Sequence, residues 1–116
     1  MSLDLSKAKS ATFKIDIDMS ELFGDGAGFM LEVVASAPQG WVSDLQVARD
    51  TGDAEGVSLF LERMIVSVAD LADGDGQPVT TYEQFKELPA VFGYAAAQGI
   101  TEAIKSATLA PKARKR

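Results

Sequence analysis

From Thr12 to Met19 apolar and polar residues alternate: Phe13, Ile15, Ile17 and Met19 against Thr12, Lys14, Asp16 and Asp18. A period of two is that of a half-buried strand. Asp16 and Asp18 share its polar side, and an exposed sheet face accounts for them without acid–base chemistry. The run Gly24-Asp25-Gly26-Ala27-Gly28 is rich in residues that accept positive φ and reads as a turn. Its G-x-G-x-G spelling resembles a phosphate-cradling loop, but that fingerprint requires a helix to open directly after it. Phe29 to Ser36 reads instead as a second strand, with Phe29, Leu31 and Val33 on one face and Met30 and Val34 on the other. The first third of the chain is therefore expected to form a β-hairpin.

Ala37-Pro38-Gln39-Gly40 breaks the pattern, and Trp41 to Val47 fits a third strand or a helical turn equally well. Trp41 reads as a core anchor, with a partner surface as the alternative. Asp53 suits a helix N-cap. After it, Val57, Phe60, Leu61, Met64, Ile65, Val68 and Leu71 recur at steps of three and four, which predicts one amphipathic helix reaching Leu71. Leu59 and Val66 lie off that stripe and widen it, so the helix is either sandwiched within the fold or shared with another chain. Asp70, Asp73, Asp75 and Gly76 then suggest a calcium loop. With Gly76 at position 6, however, Leu71 falls at position 1 and Tyr82 at position 12, where carboxylates are needed. The alternation of Asp and Gly is better read as a chain reversal. Thr80 and Glu83 spell a capping box opening a short helix that turns Phe85 and Leu88 inward. Pro89 ends or kinks that helix and suits the start of the next. The last helix is expected to run to about Ala107, kept thin by Gly93, Ala95, Ala97 and Gly99 so that another backbone can approach.

Composition narrows the chemistry. The 116 residues include no cysteine and no histidine, which removes disulfides, thiolate metal sites and the commonest general base. An enzyme would need a carboxylate with a pKa raised by burial, and no spacing here forces one. No cofactor and no metal are expected. The net charge of −6 is uneven. From Lys105 onward there are five basic residues (Lys105, Lys112, Arg114, Lys115 and Arg116) and no acidic ones, while residues 1–104 hold six basic against seventeen acidic residues, a net −11. An acidic body disfavours nucleic acid and anionic membranes as partners. No apolar run spans a bilayer, and residues 1–10 show no apolar signal core, so the expected compartment is the cytoplasm. The expected organisation is a flexible segment at 1–10, one α+β domain at 11–107 and a basic flexible tail at 108–116. Within the domain, a hairpin, with room for a third strand, packs on about three helices.

The run VADLADGDGQPVTTYEQFKELPAVFGYAAAQGITEAI resembles the tail assembly chaperones of long-tailed bacteriophages. The matching residues are Asp70, Asp73, Asp75, Gly76, Pro78, Val79, Thr80, Glu83, Phe85, Leu88 and Pro89. Leu71 departs from the pattern, where an aromatic residue would be expected. The resemblance covers roughly residues 55 to 105. It implies a non-enzymatic protein that keeps the tape measure protein soluble until tail tube subunits polymerise around it. Such a protein would work in the host cytoplasm and be absent from the mature virion. The tail tube protein would be a second partner, and homo-oligomers are left open. A minor structural protein of the tail or head–tail junction is the alternative. The matching motif is structural and transfers no binding residue. The side chains expected to form a protein-binding surface are Leu59, Phe60, Val66, Phe92 and Tyr94.

Overall fold

The computed structural model describes residues 11–109, with side chains to residue 106. The expected flexible segment at 1–10 and the last seven residues of the basic tail lie outside them. The element order is β1 (Thr12–Asp18), α1 (Ser20–Phe23), β2 (Gly28–Val34), α2 (Gln39–Thr51), α3 (Ala54–Met64), β3 (Ile65–Ala69), α4 (Tyr82–Phe85) and α5 (Ala90–Leu109). The three strands form one antiparallel sheet in the order β1-β2-β3. The fold is α+β, with three longer helices. α3 packs on β2 and α5 on both β1 and α3. α5 continues two residues past the expected end.

β1 and β2 pair from Thr12 opposite Val34 to Asp18 opposite Gly28. Their alternation is used as the sequence suggests: Ile17, Phe29, Leu31 and Val33 are buried. On the opposite, polar face the Glu32 carboxylate accepts hydrogen bonds from the hydroxyls of Thr12 on β1 and Ser67 on β3. One side chain thus ties all three strands together. Both hydroxyls favour the charged carboxylate, Thr12 the more strongly, and hold the Glu32 pKa below its ordinary value.

The single helix expected from Val57 to Leu71 is two elements. α3 opens where expected, with the Asp53 carboxylate accepting the Gly56 N–H at 3.1 Å, but stops at Met64. The chain then passes directly into β3. Glu32 faces Ser67 while Val33 faces Ile65, so Val66 is the extra residue of a β-bulge. The bulge puts buried Ile65 and Val68 three positions apart. A helix has the same spacing, and that is why the stripe read through without a break.

The ambiguous stretch at Trp41 resolves as helix. α2 ends at Gly52, which takes φ 73° and donates its N–H to the carbonyls of Ala48 and Arg49. Leu45 and Ala48 are its buried residues. Trp41 packs partly buried against the core, with the Arg63 guanidinium 5.2 Å from its ring centroid.

The acidic stretch after β3 is a chain reversal. Oδ1 of Asp73 accepts the N–H groups of Asp75 and Gln77, both at 2.9 Å, and Gly76 takes φ 81°. Ala72 bridges Pro78 across this turn. The returning chain then runs beside β3, where the Val68 N–H donates to the Thr80 carbonyl at 3.0 Å, and buries Val79. The capping box lies one residue later than expected. Thr81 Oγ1 accepts the Gln84 N–H, and Gln84 Oε1 accepts the N–H groups of Thr81 and Thr80. Glu83 pairs instead with Lys86 at 2.9 Å.

α5 approaches its neighbours closely, but they are side chains of the same domain. A Cβ on Gly99 would overlap Cδ1 of Ile17, and Gly93 lies against Leu61. Ala96, Ala97 and Ile100 are fully buried along this seam.

Candidate protein-binding surface

The stripe of α3 is consumed by the core: Phe60, Leu61 and Met64 are buried, as are Ile65 and Val68 of β3. Phe60, expected at a binding surface, is only 3% exposed and belongs to the core. It falls on the inner side because α3 packs on α2 as well as on α5 and the sheet, and Phe60 lies at the α2 seam near Trp41 and Ala48. Leu59 and Val66 are exposed, at 46% and 49%, yet they do not join a common site with the α5 residues. Leu59 lines a groove between α2 and α3 with Val47 and Arg63. Val66 stands out from the bulge of β3.

The structure does bring Phe92 and Tyr94 together with two residues the sequence reading left out. α1 is a single helical turn that follows β1 and places Leu22 and Phe23 beside the start of α5. The rings of Phe23 and Phe92 stack with centroids 5.6 Å apart, and Phe92 also meets the core ring of Phe29 at 5.9 Å. Leu22 shares a cleft with Val91, Tyr94 and Ala95. Leu22 is 61% exposed, Phe23 58% and Tyr94 48%. These residues form an apolar ridge continuous with the core through Phe92. It is rimmed by Asp18, Glu21, Arg49 and Gln98. The Asp18 carboxylate accepts the Ser20 N–H at the start of α1, which lowers its pKa.

Tyr94 also borders a second cleft, lined by Val57, Leu61, Tyr82, Phe85 and Gly93 of α3, α4 and α5. There the Tyr82 hydroxyl donates to the Ser58 carbonyl at 3.3 Å. The Ser58 and Tyr82 hydroxyls also share a hydrogen bond at 3.0 Å, in which either oxygen can donate. This pair fastens α4 to α3 and holds no base for a serine nucleophile. The clefts on the two sides of Tyr94 measure about 280 and 230 Å³. Among the described residues, the carboxylates with a resolved pKa shift, Asp18 and Glu32, are both lowered by hydrogen bonds. Among the described residues, no three acidic side chains converge as metal ligands and no helix is long and apolar enough to cross a membrane.

Comparison with protein-family models, with curated proteins and with solved structures found no match to this chain.

Proposed function

We propose that this chain is a non-enzymatic assembly chaperone of the long-tailed phage kind. It binds an apolar helical segment of the tape measure protein, keeps that segment soluble in the host cytoplasm, and leaves before the virion is complete. The tail tube protein is the second partner in this scheme. The observation that carries the reading is the ridge of exposed Leu22, Phe23 and Tyr94, backed by partly buried Val91 and Phe92, on an acidic domain. A half-exposed cluster of large apolar side chains gains free energy when covered. The surrounding negative charge keeps the complex dispersed while the cluster is occupied. The resemblance of residues 55 to 105 supplies the identity of the partner.

Co-expression with a tape measure fragment tests this. The fragment should stay in the supernatant with the chain present and precipitate without it. The double substitution Phe23→Glu and Tyr94→Glu should abolish that protection while leaving the circular dichroism spectrum unchanged. Recovery of the chain at stoichiometric level from purified virions would reject the chaperone and favour a structural tail component.

A further inference from the structure

The two edges of the sheet are treated differently. The outer edge of β3 is covered by the returning chain, through the bond from the Val68 N–H to the Thr80 carbonyl. Among the described residues nothing pairs with the outer edge of β1. Which groups that edge presents follows from the register. Met19 donates to the Ala27 carbonyl and Ala35 to the Ala11 carbonyl, so residues 11, 13, 15, 17 and 19 direct their N–H and C=O groups toward β2. Thr12, Lys14, Asp16 and Asp18 therefore direct theirs outward. On the helix-facing side of the same strand Phe13 and Ile15 are only partly buried.

We infer that this edge is a self-association site, where β1 of one chain pairs antiparallel with β1 of a second copy about a two-fold axis at Ile15. The occupant is selected by charge. In this register Lys14 stands opposite Asp16 of the second copy and Asp16 opposite its Lys14, while Thr12 faces Asp18. These are the outward-directed residues, so each such pair exchanges both backbone hydrogen bonds. Moving the axis by one residue places Lys14 against Lys14 or Asp16 against Asp16. Shifting the partner strand by a single residue sets an outward-directed residue against an inward-directed one. Like charges directly opposite destabilise a strand pair and unlike charges support it. The charged side chains thus discourage indiscriminate pairing of an open edge and favour this register over the neighbouring ones. On the other side of the sheet Ile15 meets its own copy, and Phe13 comes beside Ile17 of the second chain. Two three-stranded sheets become one of six strands, with all the helices on one face. This inference stands on the sheet edge and does not depend on the chaperone reading.

Sedimentation equilibrium of the full chain at low salt, with hydrogen exchange at several concentrations, tests it. The expected result is a dimer in which the Lys14 and Asp16 amides become protected as concentration rises. Lys14→Asp alone should weaken the dimer roughly 10- to 30-fold, and the double exchange Lys14→Asp with Asp16→Lys should restore it. A monomer at all concentrations would overturn the inference, and so would a dimer whose Lys14 and Asp16 amides stay unprotected. Failure of the double exchange to recover association, with its circular dichroism spectrum intact, would overturn it too.

Discussion

Replacing Gly99 by alanine sets two effects of opposite sign against each other. Alanine is favoured over glycine inside a helix by about 0.8–1.0 kcal/mol, and Gly99 lies within α5. The new Cβ, however, would overlap Cδ1 of Ile17, and Ile17 is buried, so the methyl group cannot swing into solvent. Overpacking of this kind costs about 1–3 kcal/mol. Gly99→Ala should therefore destabilise the wild-type chain by up to ~2 kcal/mol. The next atom that the added Cβ would meet is Cγ1 of Ile17 at 3.8 Å, an ordinary contact. Ile17→Val deletes the offending methyl alone, at a cost of about 0.5–1.5 kcal/mol. In that background Gly99→Ala has only its helical gain left and should stabilise by about 1 kcal/mol. The sign of one substitution reverses with the second, giving a coupling of about 1–3 kcal/mol in the double-mutant cycle. Urea unfolding of the four proteins, with unchanged m-values, measures it. An equal stabilisation by Gly99→Ala in both backgrounds would refute the close passage of α5 over β1.

Two further outcomes follow from local geometry. Thr81→Ala should lose about 1 kcal/mol of stability through its cap, whereas Glu83→Ala should leave the unfolding midpoint where it was; the reverse order would restore the cap to Thr80 and Glu83. The Glu32 pKa is depressed when folded, so its contribution is complete above the ordinary value of 4.5 and is lost as pH falls through the folded value. Glu32→Gln should accordingly flatten the acid limb of stability against pH, measured by denaturant midpoints, and an unchanged limb would show that the three-strand tie is not formed in solution.

The hairpin was legible because each of its strands buries one face only, so burial writes itself into the sequence with a period of two. The junction at Met64 and Ile65 was not. There a helix hands over to a strand with no glycine or proline between them, and the bulge at Val66 gives the strand a helical spacing of buried residues. The β-branched run Ile65-Val66-Ser67-Val68 was the one local signal, and it is short. The capping box slipped by a residue because Thr80 and Thr81 both precede suitable acceptors. Only the turn leading into α4 decides that Gln84 reaches back while Glu83 meets Lys86.

The exposed apolar ridge was less legible than the fold, for a physical reason. A sequence pattern shows which side chains avoid water, but the core claims the strongest stripe first. Val57, Phe60, Leu61 and Met64 are spent holding α3 to α2, α5 and the sheet. What stays exposed comes from residues whose own element is too short to bury them. α1 has four residues and no buried one, so Leu22 and Phe23 can only lean on a neighbour, and Phe92 is that neighbour. The exposed ridge is therefore a product of tertiary placement. Phe92 links it to Phe29 and from there to Phe85, so a partner bound on Leu22 and Phe23 would extend the hydrophobic core outward without unfolding any part of it. Association of this kind uses a preformed surface and incurs little ordering cost. The binding proposed above would draw on this preformed surface.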